Sequence, residues 1–210
     1  MYQDLYGHII KKMNAKRIFI LGDIHIGIRS STVEWQDITE SYFNDFFIPL
    51  LKERVKPGDV LIQLGDVFDN RQSINIKVQH IAIKYFEIIS KILPTYIIAG
   101  NHDCYNKKSN EVSSLDCLKF IPNLYIYKEP KLIDFGKAKC LMLPWCSTAK
   151  QESEILESFK NKADYVFSHS EMAGLMLNRK VKQEHGTPIN SFSAYKRVYS
   201  GHIHYSLPLS

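Results

Sequence analysis

The chain has 210 residues and a formal net charge of +5 at pH 7, and 45% of its residues are hydrophobic, 12% aromatic and 23% charged. This length allows one domain with a proper core and is short for two, while the composition excludes a disordered chain. The longest apolar stretches fall far below the roughly 18 residues of a membrane-spanning helix, and the N-terminus has no apolar signal region. We therefore expect a cytoplasmic protein with no membrane partner and with free thiols at its four cysteines.

Residues 1–14 precede the first strong apolar run of the chain. Met13 opens the stretch MNAKRIFILGD, so this N-terminal extension is either sequence upstream of the functional start or a native N-terminal helix. Both readings stay open, and the segment contains none of the candidate site residues. The domain itself is expected to occupy residues 15–210.

Short apolar runs bounded by Gly or polar turns predict five buried strands, at 17–21, 59–64, 95–99, 164–168 and 197–200. Helix-like spacing of apolar residues predicts helices at 33–55 and 74–92, the first of them kinked or broken by Pro49. This alternation predicts right-handed crossovers and a largely parallel first sheet. The tight turns within 124–143 predict a switch to neighbouring strands of a second sheet. We expect an α/β fold of two stacked sheets with helices outside.

Each predicted strand runs directly into a small polar turn, in the order GDIH, GDVFD, GNHD, SHSE and GHIH. Metal chemistry needs several such ligands from distant sequence brought to one point, so the turns predict a site for two metal ions. The candidate ligands are Asp23, His25, Asp66, Asn101, His169, His202 and His204.

The spacing of these candidate ligands suggests how they would be distributed between the two metal ions. Residues i and i+2 point the same way, so Asp23 and His25 can hold one ion together, while His202 and His204 can do likewise or be divided between two ions. Asp66 is the natural bridging carboxylate, and Asn101 offers a neutral carbonyl oxygen. The glycines before or at these turns, at positions 22, 65, 100 and 201, are expected to let backbone and metal approach closely.

His102 directly follows a candidate ligand and should point away from the metal toward substrate. We expect it to protonate the leaving oxygen or to stabilise the transition state, with Asp103 accepting its ring N–H. Both residues are therefore candidate catalytic residues.

Four further residues near these turns are weaker candidates. Asp69 is expected either to orient a metal-binding His or only to cap its turn. Arg71, Lys107 and Lys108 are candidates for contact with a nucleic-acid backbone, the two lysines because they follow the catalytic turn directly.

Charge balance favours a phosphodiester substrate. Two divalent ions bring four positive charges, Asp23 and Asp66 return two, and a bridging hydroxide and one diester phosphate return one each, so the sum is zero. The negative charge that develops in the transition state would be stabilised by the ions and by a nearby His or Arg.

As a set, the five motifs resemble those of the calcineurin-like metallophosphoesterase superfamily, over residues 16–204. This resemblance implies a four-layer α/β/β/α sandwich with a dinuclear centre at the strand ends. It also implies that one ion is held by Asp23, His25, Asp66 and His204, and that the other is held by Asp66, Asn101, His169 and His202. GDVFDNR and GNHD differ from the GDxVDRG and GNHE expected of protein Ser/Thr phosphatases.

The stretches LGDIHIG and GDVFDNRQS, LPW at 143–145 and the HxE of His169 and Glu171 are similar to the SbcD-like DNA double-strand-break repair nucleases, especially the recombination nuclease subunit of tailed phages. This resemblance implies an exonuclease or endonuclease in which a metal-activated hydroxide attacks DNA. It implies Mn²⁺, with Mg²⁺, Fe²⁺ or Zn²⁺ as alternatives, a homodimer, a coiled-coil ABC-type ATPase partner and, for a phage protein, the host cytoplasm.

That family continues after His204 with further strands, so we expect the domain to be C-terminally incomplete and to miss its last strands. Two other functions stay open: a phosphatase or pyrophosphatase acting on a small phosphorylated molecule, and a non-catalytic binding subunit that has kept the motifs.

Overall fold

The computed structural model describes residues 11–12, 14–106, 108–175 and 181–204. Most of the predicted N-terminal extension and the candidate Lys107 therefore lie outside the described residues. Within that extension, Lys11–Lys12 form a short strand that pairs with residues 133–134.

All five predicted strands are confirmed, and each of their ends agrees with the prediction or differs from it by one residue. In chain order the strands are β1 Lys11–Lys12, β2 Ile18–Leu21, β3 Val60–Gln63, β4 Thr95–Ile98, β5 Cys104–Asn106, β6 Ser109–Ser113, β7 Leu124–Tyr127, β8 Lys131–Asp134, β9 Lys139–Leu143, β10 Tyr165–His169, β11 Met172–Ala173, β12 Thr187–Pro188 and β13 Arg197–Gly201. The α-helices are α1 Val33–Ser41, α2 Ile48–Arg54, α3 Ile76–Ile92 and α4 Ala149–Phe159, and the short 3₁₀ helices are Ser114–Leu118 and Ile189–Phe192.

The first sheet has the order β2-β3-β4-β7 and is parallel throughout, as predicted. The second has the order β1-β8-β9-β10-β13, in which only the β8–β9 pair is antiparallel. The prediction that 124–143 belongs to a second sheet is correct for β8 and β9 and wrong for β7. β7 pairs in parallel with β4, whose outer edge would otherwise carry unpaired backbone groups.

The two sheets pack face to face, and helices cover their outer faces. Strand β3 is buried on both sides: Val60 and Ile62 contact the core between the sheets, whereas Leu61 belongs to the core beneath the helices. Leu141 and Val166 of the second sheet pack against the core that includes α4. These three cores separate four layers, which confirms the predicted α/β/β/α arrangement.

The predicted helix over 33–55 is interrupted, as expected from Pro49. A wide π-helical segment, Tyr42–Phe47, joins α1 to α2, and Pro49 lies in the first turn of α2. Proline cannot donate a backbone hydrogen bond, so the regular ladder cannot continue through this position. Phe43 of this segment stacks on Tyr85 of α3 at a centroid distance of 4.4 Å. None of the helices that the structure describes has the length and hydrophobicity of a membrane span.

Candidate metal centre

The polar turns meet at one end of the sandwich because the strands that precede them are parallel within each sheet. Several hydrogen bonds join the sheets there. The backbone N–H of His202 donates to Oδ2 of Asp23 at 2.8 Å, and Nδ1 of His169 donates to the carbonyl oxygen of Leu64 at 2.7 Å. All seven predicted ligands lie in this cluster, although their binding of metal stays a prediction.

One group of potential ligand atoms consists of Asp23, His25 and His204, which lie within 4.8 Å of one another. Nε2 of His204 is 3.0 Å from Oδ2 of Asp23 and 3.3 Å from Nε2 of His25. The i, i+2 spacing predicted this pairing of Asp23 with His25. His204, from the last polar turn, completes the group.

The second group consists of Asp66, His169 and His202, again within 4.8 Å of one another. The side-chain oxygen of Asn101 lies 3.0 Å from Nε2 of His169 and 2.9 Å from Nδ1 of His202. The two histidines of GHIH are thus divided between the two groups, the second of the alternatives that the sequence left open.

Asp66 lies between the groups. Its Oδ2 is 3.2 Å from Nε2 of His169 in one group and 3.6 Å from Nε2 of His25 in the other. Its Oδ1 accepts the backbone N–H of His102 at 2.7 Å. The carboxylate is therefore oriented by the backbone and presents one oxygen to both groups, as a bridging ligand would.

The chemistry of this cluster fits divalent cations. Among the described residues, Oδ1 of Asp23 and Nδ1 of His25 are buried and form no hydrogen bond, and buried polar atoms of this kind are rare in folded proteins. Two imidazole nitrogens, of His25 and His204, also face each other. Carboxylate, imidazole and amide donors suit several divalent metals, so these residues can hold a pair of such ions.

The turns that carry the ligands have unusual backbones. His25, Asp66 and His202 have φ values of 48°, 52° and 76°, in the left-handed region that non-glycine residues rarely adopt. Such conformations persist only where the surrounding structure enforces them, and they concentrate at functional sites.

Three of the four glycines have no space for a side chain. A Cβ on Gly100 would lie 2.2 Å from the backbone nitrogen of Asp66, one on Gly201 would lie 2.4 Å from Oδ1 of Asp23, and one on Gly65 would lie 2.5 Å from Nδ1 of His169. The expectation is wrong for Gly22, where a Cβ would have no neighbour within 4 Å.

The ionisation states of Asp66, His202 and His25 suit metal binding, whereas at His169 burial is outweighed by the hydrogen bond and charge of Asp66, which raise the pKa. Burial raises the pKa of Asp66, but the hydrogen bond and the charge of His169 outweigh it and lower that pKa to about 2. Burial, reinforced by the charge of His169, lowers the pKa of His202 to about 4. Burial also lowers the pKa of His25. Near neutral pH Asp66 is a carboxylate, and these two histidines have the neutral form that ligates metals.

His102 is oriented by a backbone group rather than by Asp103. Its Nδ1 lies 2.6 Å from the carbonyl oxygen of Asp69, which can only accept, so Nδ1 carries a proton and Nε2 is free for another role. The ring packs edge-to-face against His25 with the centroids 4.9 Å apart. His102 thus stands beside the seven predicted ligands with one nitrogen held in place, and it forms a third group of potential ligand atoms with His25 and Asp69.

The expected contact of Asp103 with the His102 ring is therefore wrong. Asp103 is fully buried and accepts backbone N–H groups from Phe68 at 3.1 Å and Gly100 at 2.9 Å. Burial and the charge of Asp66 raise the pKa of Asp103 to about 7. Asp103 joins the second and third polar turns, so it supports the site without facing substrate.

The weaker candidates Asp69, Arg71 and Lys108 differ in their contacts with the site. Oδ1 of Asp69 lies 3.3 Å from Nδ1 of His25 without forming a hydrogen bond to it, so the orienting role of Asp69 stays a prediction, and Nε of Arg71 donates to the backbone carbonyl of Asn101 at 2.8 Å. Lys108 is exposed in the turn between β5 and β6, and the described structure does not bring it to the ligand cluster.

Trp145 is a neighbour of the site that sequence reasoning did not place there. It follows β9, its backbone N–H donates to the carbonyl of Ala99 at 2.8 Å, and its ring lies 5.3 Å from that of His202. Its position at a strand end, within LPW, was the available signal. Glu171 of the HxE motif accepts a hydrogen bond from Gln183 at 2.7 Å and is not among the grouped ligands.

Comparison with known protein families matches residues 16–206 to calcineurin-like phosphoesterase. Among curated proteins, Exonuclease subunit 1 of Enterobacteria phage T4 is 29% identical over 192 residues, which cover 90% of this chain and 55% of that protein. Putative phosphoesterase 244L of Invertebrate iridescent virus 6 is 23% identical, covering 91% of this chain and 66% of that protein.

Among solved structures, a protein of unknown function from Aquifex aeolicus aligns with a TM-score of 0.45 and 16% identity, over 88% of this chain and 89% of that chain. The chain thus spans 55% and 66% of the length of the two curated relatives. The names of those two relatives describe whole proteins that are longer than this chain.

Proposed function

The chain belongs to the calcineurin-like phosphoesterase family, and from this premise we propose that it is a two-metal phosphodiesterase that cleaves DNA. The observation that carries the two-metal assignment is the position of Asp66, with one carboxylate oxygen 3.2 Å from His169 and 3.6 Å from His25. The DNA substrate is supported by the similarity to a phage protein named as an exonuclease subunit. We propose Mn²⁺ as the metal.

The proposed mechanism assigns each side chain a task. Two divalent ions, when bound, would polarise the phosphoryl oxygens and lower the pKa of a water molecule. Asp66 would be shared between the ions, while Asp23 and the histidines around it would complete one site. The carboxylates are held ready for this role, because Oδ2 of Asp23 and Oδ1 of Asp66 accept backbone N–H groups.

His102 would act on the substrate side of the cluster. Since Nδ1 is committed to the carbonyl of Asp69, only Nε2 is free to donate a proton to the leaving oxygen or to hydrogen-bond a phosphoryl oxygen. Asp69 has two functions in this arrangement: its carbonyl positions His102, and its carboxylate lies beside Nδ1 of His25. Orientation of a histidine ligand by a neighbouring carboxylate is a common means of tuning a metal site.

Partners are a further part of the proposal. The T4 relative is named as a subunit, which supports assembly with other chains, and we propose that this protein works as a homodimer with a coiled-coil ABC-type ATPase. The expected location is the cytoplasm of the host cell.

The experiment that tests the function compares substrates on one preparation. Protein purified without metal and reloaded with Mn²⁺ should cleave a single-stranded oligonucleotide or a duplex end, and EDTA should abolish cleavage. A preparation that contains two ions per chain and hydrolyses small phosphomonoesters but leaves DNA intact would contradict the DNA assignment and favour the small-molecule phosphatase.

A further inference from the structure

A groove of about 970 Å³ opens beside His102. Its lining comes from the turn containing Gly27 and Ser30, from residues 69–75, and from His102, Tyr105 and Asn106. The groove therefore includes both the proposed proton donor and Tyr105 in one concave surface.

The ring of Tyr105 is placed in this groove by its strand. Cys104 points into the core, where its Sγ contacts the carbonyl of Gly100 at 3.2 Å and the side-chain oxygen of Asn110 at 3.0 Å. Neighbouring side chains of a strand point in opposite directions, so Tyr105 faces outward, and it is 52% exposed. The pairing of β5 with β6 is irregular between Cys104 and Asn106, and such irregularities re-aim side chains beside active sites.

The hairpin that carries Tyr105 is anchored to the rest of the site. The side-chain amide of Asn110 donates to the backbone carbonyls of Lys128 at 3.0 Å and Trp145 at 2.8 Å. The Tyr105 ring is thus presented from a strand fixed at its buried face, and a ring held in this way needs little ordering when it binds a ligand.

The lining of the groove carries few charged side chains, unlike a surface that binds a row of phosphates. Among the described residues that line it, the Asp, Glu, Lys or Arg side chains are Asp69 and Arg71, and both already have partners within the site. Apart from His102, the remaining polar lining consists of hydroxyls and amides, contributed by Ser30, Ser31, Asn70, Gln72, Ser73, Asn75, Tyr105 and Asn106. Neutral donors and acceptors of this kind match the edges of nucleobases better than a row of phosphates.

Distance also suits a nucleotide. Tyr105 is three residues from His102, so their Cα atoms are at most about 11 Å apart. A base attached next to a phosphate at His102 can therefore reach the Tyr105 ring. The Watson–Crick edge of a base is free to meet the amides and hydroxyls only when the base is unpaired.

We propose that this groove binds the nucleotide next to the scissile phosphate in unpaired form, with its base stacked on Tyr105. This inference rests on the proposed nuclease function and adds the residue that selects single-stranded ends. Stacking is tolerant of base identity, because every base has a π face, so the groove distinguishes unpaired from paired DNA without selecting a sequence.

The test combines a protein change with a substrate change. Tyr105→Ala should weaken binding of a single-stranded dT oligonucleotide by about 5- to 150-fold in fluorescence anisotropy with metal-free protein, while Tyr105→Phe should stay near wild type. An oligonucleotide of abasic deoxyribose phosphates should bind the wild-type protein as weakly as the dT strand binds Tyr105→Ala. The affinity of Tyr105→Ala for the abasic strand should be close to the wild-type affinity for that strand. Phe120→Ala, at an aromatic residue 85% exposed and outside the groove lining, is the matched control.

Two further readouts identify the cause of any change. Phe120→Ala should keep the wild-type hydrolysis of bis(p-nitrophenyl) phosphate, and the affinity of Tyr105→Ala for dT should depend on salt with the wild-type slope, since stacking releases no counterions. Unchanged dT affinity in Tyr105→Ala, or equal losses for the dT and abasic strands, would overturn the groove assignment. If Tyr105→Ala weakened binding as expected but the wild type cleaved no DNA, the groove would stand and the proposed nuclease function would fail.

Discussion

Oδ2 of Asp66 lies 3.2 Å from Nε2 of His169, and this contact joins the second polar turn of one sheet to the end of β10 in the other. The same oxygen is within 3.6 Å of His25, so one carboxylate links both groups of potential ligands. The two sheets are thus joined at the point where the chemistry is proposed, and a change at Asp66 should affect both metal sites together.

Asp66→Asn should lower metal content from two ions per chain to one or fewer. An amide lacks the negative charge that a bridging ligand provides, and its NH₂ group would face one of the histidines. Elemental analysis of the purified protein after Mn²⁺ loading and gel filtration measures this directly. Asp134→Asn, at the end of β8 and outside the grouped ligands, is the control. Full occupancy in Asp66→Asn would exclude Asp66 as the bridge.

His102→Ala should retain both ions and lose turnover by about 10²- to 10⁴-fold, the usual contribution of a positioned acid or base. The reason is that Nε2 is the nitrogen left free by the bond to Asp69, while the backbone N–H that holds Asp66 is unchanged by the substitution. Turnover and metal content are measured on the same sample. His80→Ala, on the exposed side of α3, should match wild type. Loss of metal in His102→Ala would move this residue from a catalytic to a ligating role.

Gly100→Ala should destabilise the protein or abolish metal binding, whereas Gly22→Ala should be tolerated. The added methyl group at position 100 would meet backbone and carboxylate atoms of Asp66, which cannot move without disturbing the turn, but at position 22 it meets open space. Overpacking of this kind costs about 1–3 kcal/mol. Urea unfolding and metal analysis of the two variants make a matched comparison. Equal behaviour of the pair would mean that the turn at Gly100 is less closely packed than the structure indicates.

Without metal, His202 should contribute a loss of stability as the pH falls from about 6.5 to about 4. His202 titrates near 4 in the folded state against an ordinary value of 6.5, so within this window the unfolded chain binds a proton at His202 that the folded chain does not. Stability rises with pH wherever the unfolded state binds more protons, so the contribution of His202 falls on acidification. The lowered pKa of His25 acts in the same direction, whereas the raised pKa values of Asp103 and His169 act in the opposite direction, so the His202 contribution is measured against a variant.

The measurement for this pH dependence is urea unfolding at several pH values between about 4.5 and 7.5 with EDTA present. His202→Gln should reduce the slope of stability against pH, and His80→Gln is the control. A slope that His202→Gln leaves unchanged would show that other groups cause the loss of stability.

Much of this architecture follows from local features of the sequence. The five strands and both long helical regions arise from local patterns of apolar residues, and Pro49 predicts the interruption because a missing N–H acts wherever it occurs. The meeting of the candidate ligands at the strand ends also follows from the sequence, because parallel strands bring their carboxyl ends to one edge of a sheet. These are properties of neighbouring residues, and sequence spacing describes them well.

Other features depended on contacts between distant segments. β7 joined the first sheet because β4 had a free edge, and no local pattern reveals which edge is free. The partner of His102 is a backbone carbonyl 33 residues away, not the adjacent Asp103, because side-chain identity does not report where main-chain acceptors lie. The sequence by itself thus determined the set of candidate metal ligands, whereas only the tertiary structure decided how they are divided between the groups and what orients them.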